Sequence, residues 1–388
     1  FLARRAGMTV PEDDVPQEVR SRRARLLELN REAARFFYET LKSPEGAPAR
    51  EYLSRRGITA ETATRFGLGY APDSWTALSE AMMAKGFTLR DLFDAGLIKR
   101  SEKNRRSHYD TFRGRLMFPV IDVRGSVVGF SGRLLGDGEP KYLNSSDTPV
   151  FKKSAHLFGL NLAKKTKSGR FLLVEGNIDV VKLHQAGFDG AVASLGTALT
   201  EEQVQLLSRY GKEVVIAYDS DAAGLKAAER ALGLMENTSL QVRVLRLTGA
   251  KDPDEFIEKF GADAFARQLD SVENHVEYRI HTILGRHTLD SDEGRLAFLK
   301  DAVAMLAGMR SALEREIYAK RVAELAGVSA DAVLTEVGRL HKARLRDQKR
   351  QQEARERNLR AAAQPLSREI RYTNETSALA EEGVIRLL

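Results

Sequence analysis

The chain has 388 residues, too many for one ordinary core. Hydrophobic residues make up 43%, so two or three packed domains are expected. Lys and Arg outnumber Asp and Glu by 61 to 54, a net charge of +7 that is compatible with polyanionic partners but does not require them. With no cysteine, disulfides and cysteine-based zinc sites are excluded within this chain. No run of 18 apolar residues or signal peptide is visible, so the simplest expectation is a cytoplasmic protein.

The chain begins Phe1-Leu2-Ala3-Arg4-Arg5 and ends Ile385-Arg386-Leu387-Leu388 inside an apolar pattern, which reads as a piece of something longer. Residues 17–42 are amphipathic, with Leu26, Leu27, Leu29, Ala33, Phe36, Phe37 and Leu41 at roughly helical spacing, and Ser43-Pro44-Glu45-Gly46 stops that helix. Two short helical patterns follow, with Gly57 and Gly96 as stops. The period then changes to two. Leu116–Val123 and Val127–Leu134 read as strands around the turn Arg124-Gly125-Ser126. This first region reads as mixed α+β.

From Phe171 strands and helices alternate. Strands are expected at Phe171–Val174, Gly190–Ser194, Val214–Tyr218 and Leu240–Leu247. Helices are expected at Asp179–Ala186, at Thr200–Tyr210 with the capping box Thr200…Gln203, and at Ala222–Met235. Short apolar strands joined by helices predict a largely parallel sheet covered on both faces. After Pro253 the pattern is helical: Glu255–Phe260, Ala264–Leu284, Arg295–Met309 and Ala312–Leu325, the last opened by Ser311…Glu314. Gly327 ends that helix and Ser329 starts the next. His275, His281 and His287 recur every six residues, a spacing that turns each away from the last on a helix, so they read as surface or packing residues. Residues 342–360 read as a solvated charged helix running into a linker.

Acidic residues follow three of the strands. Glu175 ends the first, with Asp179 four residues on. Asp219 and Asp221 follow the third, and Asp252 and Asp254 follow the fourth. In open α/β sheets functional groups collect beyond the carboxyl ends of parallel strands, so these side chains should converge. Carboxylates brought together repel unless a cation lies among them, and an all-oxygen set favours a hard ion such as Mg²⁺ or Mn²⁺. Each piece alone has a plain structural reading. Asp221 can cap the Ala222 helix, Asp254 the next one, and Asp179 can sit in a first turn for the helix dipole. Glu175, directly after four apolar strand residues, is harder to explain that way.

Glu175-Gly176-x-x-Asp179 with Asp219-x-Asp221 resembles the TOPRIM domain of topoisomerases, bacterial primases and some nucleases. Ser194-Leu195-Gly196-Thr197, Asp219-Ser220-Asp221-Ala222-Ala223-Gly224 and Lys251-Asp252-Pro253-Asp254 resemble bacterial DnaG-type primase. So do the upstream stretches Arg113–Pro119, Gly129–Arg133 and Pro140–Ser145. The resemblance runs from about residue 15 to 340. It implies an N-terminal mixed α+β basic subdomain (15–166), a central TOPRIM α/β sheet (167–254) and a C-terminal helical bundle (255–341). Residues 1–14 would be a linker left from a missing zinc-binding domain, with Phe1–Pro11 as its exit. Residues 342–388 would be a charged linker and the start of a truncated helicase-binding region, begun at most after Ser377.

The resemblance also implies DNA-directed synthesis of short RNA primers from NTPs, with Mg²⁺ or Mn²⁺ as cofactor and no zinc site. Partners would be a single-stranded DNA template, NTPs, the RNA primer and, through the mostly absent domain, the replicative helicase at the replication fork. A membrane is not implied, and the fragment should be monomeric. Glu175, Asp219 and Asp221 would be the central metal residues, with Asp179, Asp252 and Asp254 supporting them. Between Lys99 and Arg170 there are sixteen Lys and Arg against six Asp and Glu, as a template and a triphosphate require. Within and near that stretch the resemblance assigns phosphate contacts to Arg133, Lys141 and Lys153, and also to Arg65 and Arg113. Tyr142 and Phe151 are core or base-stacking candidates. Three rivals stay open: a TOPRIM nuclease, a topoisomerase-like strand cleaver, and a non-catalytic single-strand-binding replisome module.

Overall fold

The amphipathic segment predicted at 17–42 forms helix α1 (Gln17–Lys42) and buries Leu26, Leu29, Ala33, Phe37 and Leu41. In this computed structural model residues 17–101, 107–196, 198–236, 238–247, 249–270 and 272–363 are described. The expected linker at 1–14, Thr197, and everything beyond 363, including the region after Ser377, lie outside them. Residues up to Tyr278 form one compact unit and those from Arg279 form a second.

In the first unit α1 is followed by α2 (Ala47–Arg55), α3 (Ala60–Arg65), β1 (Gly69–Ala71), α4 (Ala77–Ala84), α5 (Leu89–Asp94) and the small pair β2 (Ile98–Arg100) and β3 (His108–Asp110). Next come β4 (Arg115–Ile121), β5 (Val127–Leu134) and β6 (Tyr142–Asn144), which with β1 make an antiparallel sheet in the order β1-β4-β5-β6. The predicted hairpin is β4–β5. Its turn closes because Asp122 Oδ1 accepts from Arg124 N and Ser126 N, both at 2.9 Å, while Gly125 takes φ +93°. Strands β1, β2, β3 and β6 have three residues each, too few to show a period in the sequence.

After the short helix α6 (Leu160–Ala163) comes the α/β unit. It comprises β7 (Arg170–Val174), α7 (Asn177–Gln185), β8 (Ala191–Ala193), α8 (Glu201–Tyr210), β9 (Glu213–Ile216), α9 (Ala222–Met235), β10 (Gln241–Val244), α10 (Pro253–Phe260), α11 (Ala262–Asp270), β11 (Glu273–Asn274) and α12 (His275–Leu284). The sheet order is β11-β10-β9-β7-β8, parallel throughout except for the β11 edge. Side chains alternate between two cores, as period two dictates. Leu172, Val174 and Val215 join one with Ile178, Val181, Phe256 and Phe265. Phe171, Leu173, Val214 and Ile216 join the other with Val204, Leu207, Ala228 and Leu232.

One element differs from expectation. The single helix predicted over Ala264–Leu284 is two helices separated by β11. Val272 is buried, Glu273 pairs with Val244 across the sheet edge, and Asn274 Oδ1 accepts from Val276 N and Glu277 N to restart the chain as α12. Strand pairing and a side-chain cap outweigh continuous helical periodicity here.

The second unit contains α13 (Asp292–Ala307), α14 (Ala312–Ala326) and α15 (Ala330–Ala363). Its core is Phe298, Ala302, Val303 and Leu306 from α13, Ala319, Val322 and Ala326 from α14, and Val333 and Val337 from α15. Gly327 ends α14 at φ +67°. No described helix is long and apolar enough to cross a membrane.

Candidate metal and phosphate site

The acidic side chains gather beyond the carboxyl ends of β7, β9 and β10. A cleft of about 280 Å³ is lined by Glu175, Asp179, Asp219 and Asp252 together with Arg133 and Lys141. Four of the carboxylates are held by backbone N–H groups. Glu175 Oε1 accepts from Asp219 N at 3.3 Å, which ties the ends of β7 and β9 together. Asp179 Oδ2 accepts from Gly176 N at 3.1 Å. Asp221 Oδ1 caps α9 through Ala223 N (2.9 Å) and Gly224 N (2.8 Å), and Asp252 Oδ1 caps α10 through Glu255 N (2.7 Å). Capping and clustering thus coexist. The caps aim these side chains, and the strand ends bring them into one place.

Close approach of the strand ends depends on glycine. A Cβ on Gly224 would lie 2.1 Å from Asp219 O and 2.9 Å from Glu175 Oε1. One on Gly176 would lie 2.5 Å from Asp179 Oδ2.

The cluster is only partly compensated: Asp254 is ion-paired to Arg56 and Lys182, and Lys251 lies 3.9 Å from Asp252. Burial, then the charges of Asp252, Asp254 and Asp219, push the Asp179 carboxyl up to about 7. Burial, then Glu175, Asp252 and Asp221, push Asp219 up to about 6. Glu175 is also raised, by burial foremost and by the Asp221 charge. Asp179, Asp252 and Asp254 each offer an oxygen within 4.8 Å of the others. Hard oxygen donors that destabilise one another when ionised fit a divalent cation.

The predicted basic residues separate into two groups. Arg133 and Lys141 line the cleft. The Arg133 guanidinium lies between the rings of Tyr52 (5.0 Å) and Tyr142 (5.2 Å) and donates to the Tyr142 hydroxyl at 3.0 Å. Arg65 is exposed at the end of α3, and Lys153 lies in a 3₁₀ turn; neither lines the cleft. Arg113 is also outside it. Its guanidinium covers Trp75 (4.2 Å) and Tyr109 (5.0 Å), and Trp75 is 64% exposed, so a cation and two aromatic rings form a surface patch. Phe151 is buried under Gly129 and is core.

Other residues at the site carried no sequence expectation. Arg115 is buried and, among the described residues, has no carboxylate partner. Its Nη1 donates to Gly132 O and Pro140 O, both at 3.0 Å, which fixes the backbone that presents Lys141. Asn144 Nδ2 donates to Leu195 O at 3.0 Å, joining the antiparallel sheet to the loop after β8. Arg56 and Lys182 both hold Asp254. Lys182 had a signal, since it stands three residues after Asp179 and shares its helix face. Arg56, 198 residues before its partner, had none.

Three family models match the chain. One described as DNA primase catalytic core, N-terminal domain, covers residues 36–164, and one described as Toprim-like covers 172–257. One described as DnaB-helicase binding domain of primase covers 276–331, upstream of the region where the sequence was expected to begin such a domain. A DNA primase domain from Pseudomonas aeruginosa superposes with a TM-score of 0.72 at 36% identity, over 82% of this chain and 99% of that one. The chain belongs to the DnaG-type bacterial DNA primase family.

A DnaG primase catalytic domain bound to ssDNA superposes with a TM-score of 0.70 at 32% identity, over 80% of this chain and 99% of that one. Among curated relatives, the DNA primase of Clostridium acetobutylicum is 38% identical over 336 residues, 86% of this chain and 55% of that protein. That of Synechococcus elongatus is 41% identical over 314 residues, 78% of this chain and 45% of that protein. The chain thus spans about half the length of the curated primases it matches. The architecture is the one the sequence implied: a mixed antiparallel region, a Toprim sheet and a helical C-terminal region.

Proposed function

We propose that this chain is the RNA-polymerising core of a bacterial primase, copying single-stranded DNA into short RNA primers from NTPs. The observation that carries this reading is the single cleft in which Glu175, Asp179, Asp219 and Asp252 stand with Arg133 and Lys141. In the reaction a ribonucleotide 3′-hydroxyl oxygen bonds to the α-phosphorus of the next NTP. The bond from that phosphorus to the bridging oxygen breaks, pyrophosphate leaves with the electron pair, and the hydroxyl proton passes to water.

Mg²⁺ or Mn²⁺ would be held by Glu175, Asp219 and Asp221, with Asp179, Asp252 and Asp254 in support. Such an ion supplies hydroxyl activation and charge neutralisation on phosphate oxygens. The chain's own contribution is placement. Arg133, fixed between two tyrosine rings, and Lys141, fixed through Arg115, bind phosphate oxygens beside the carboxylates. The Trp75–Tyr109–Arg113 patch and the basic excess of this region supply a sequence-tolerant surface for the template. The 276–331 segment would engage the replicative helicase, and the protein would work in the cytoplasm at the replication fork. Leu313 and Ile317, 74% and 62% exposed one turn apart on α14, offer an apolar face for that contact.

One assay decides the reading. Single-stranded template, NTPs and Mg²⁺ or Mn²⁺ are incubated with the protein and scored for short RNA. Primer-length RNA that depends on template and metal supports the proposal. Strand cleavage without RNA would favour a TOPRIM nuclease, and binding with neither product a non-catalytic module.

A further inference from the structure

Helix α15 runs for 34 residues, but only its first half packs. Val333 and Val337 enter the core of the second unit, His341 Nδ1 donates to Ala307 O at 2.8 Å, and Arg344 lies beside Gly308. From Leu345 to Asn358 every residue is exposed except the half-buried Ala354. Charge is not spread evenly around this helix. With about 100° of turn per residue, Arg339, Lys342, Arg346, Lys349, Arg350 and Arg357 fall within one arc of about 100°. All six are exposed, and they form a stripe about 27 Å long opposite the face that carries Val333 and Val337. The far side of the free part carries Gln348, Gln351 and Gln352, with Arg355 as the cation among them.

The stripe is mostly unneutralised. Arg339 pairs with Glu336, and Lys349 lies 3.9 Å from Glu353. Among the described residues Lys342, Arg346, Arg350 and Arg357 have no carboxylate at ion-pair distance. Lys342 and Arg346, and again Arg346 and Arg350, stand four residues apart, where like charges weaken a helix. No packing in the second unit accounts for this arrangement, and a row of free cations on one face fits a polyanion. A membrane surface would need an apolar opposite face, which Gln348, Gln351 and Gln352 do not supply. A splayed single strand would need aromatic rings to stack on, and α15 has none. A duplex backbone needs neither, and about 27 Å spans about eight base pairs at 3.4 Å each.

We propose that the outer stripe of α15, from Arg339 to Arg357, is a second nucleic-acid contact that grips the phosphate backbone of a duplex without reading its sequence. The occupant is the RNA–DNA hybrid that primer synthesis forms, so the choice of polyanion rests on the primase reading above. Phosphate contacts of this kind position and retain a duplex but carry no sequence information. Guanidinium groups, four of the six cations here, suit bidentate contacts to phosphate oxygens.

The test is a salt titration. Fluorescence anisotropy reads binding of a labelled RNA–DNA hybrid of about 12 base pairs, and of a DNA single strand of equal length, between about 50 and 200 mM salt. The stripe variant Arg346→Gln/Arg350→Gln/Arg357→Gln removes three charges and keeps good helix formers. The control Arg295→Gln/Lys320→Gln/Arg355→Gln removes the same charge from the same unit away from the stripe. The stripe variant should flatten the plot of log K against log salt by about 2–3 units, about 0.9 for each phosphate contact, and weaken hybrid binding more than about tenfold at 0.1 M salt. The control variant on the hybrid, and the stripe variant on the single strand, should each lose less than about threefold, the screened share of lost charge. An equal loss in the control, an equal loss of single-strand binding, or an unaltered slope overturns the proposal. Should circular dichroism show that the stripe variant has lost helix, the three single substitutions carry the test, each flattening the slope by about one unit. A wild type that holds the hybrid through the stripe yet makes no RNA would refute the primase reading and leave the contact standing. Normal primer synthesis with an unaltered slope in the stripe variant would refute the contact alone.

Discussion

Replacing Gly224 by alanine should damage the site although it lies in a helix, where alanine is ordinarily preferred. Helix propensity alone favours the change by about 1 kcal/mol. Against this, the new methyl carbon would stand 2.1 Å from Asp219 O, 2.8 Å from Asp219 C and 2.9 Å from Glu175 Oε1. Two of those atoms are backbone, so the strand end rather than a flexible tip must move. Overpacking of this kind costs about 1–3 kcal/mol. The net effect is then a loss of up to about 2 kcal/mol, or a few degrees in Tm for a unit of this size. The larger consequence is geometric, because the displaced atoms are those that place Asp219 against Glu175. Metal affinity and primer synthesis should fall by more than stability does. Thermal melts with and without Mg²⁺, with Mn²⁺ binding, check this. A variant that melts higher, binds Mn²⁺ normally and makes primers at the wild-type rate would refute the argument.

Three further outcomes are expected. Asp219→Asn should abolish primer synthesis while largely sparing single-stranded DNA binding by fluorescence anisotropy; retained synthesis at normal Mg²⁺ would remove Asp219 from the centre. Asp179 and Asp219 titrate at about 7 and about 6 when folded, above their ordinary 3.8, so their contribution to stability is full below pH 4 and is lost as pH rises towards 7. Metal-free protein should therefore lose Tm over that window relative to Asp179→Asn, and Mg²⁺ should flatten the difference; identical pH profiles would contradict the charge crowding. Leu313→Glu combined with Ile317→Glu should leave the α-helical circular dichroism unchanged and weaken co-elution with a replicative helicase about tenfold or more, since charge replaces the exposed apolar face; unaltered co-elution would move the contact elsewhere.

The acidic centre was legible because each member follows a strand whose apolar run is visible locally. The parallel sheet places strand ends together, so three separated motifs become one cluster without further information. The basic side was only partly legible. Arg133 and Lys141 lie on or beside the β5–β6 ladder, and the same sheet that carries them borders the cleft. Arg113 and Arg65 sit in equally basic surroundings but point to other surfaces, and local charge does not encode direction. Arg56 was invisible because its meaning depends on Asp254, which lies far along the chain and closes over it only in the fold. The broken helix at 264–284 failed for a related reason: β11 exists only because the edge of β10 needs a partner, which no local period records.

The guanidinium of Arg115 has a consequence for how salt acts on this protein. Its charge is met by carbonyl dipoles at Gly132, Pro140 and Lys141, beneath the chain segment that carries the Lys141 side chain. Exposed lysines lose their reach once mobile ions crowd within a Debye length, about 8 Å at physiological ionic strength. A cation sealed inside the fold cannot collect that ionic cloud directly. Raising salt should therefore strip the long-range capture of a nucleic acid strand while leaving a residual attraction at the cleft itself. Capture and retention would then answer to different conditions, the first set by the medium and the second by the protein.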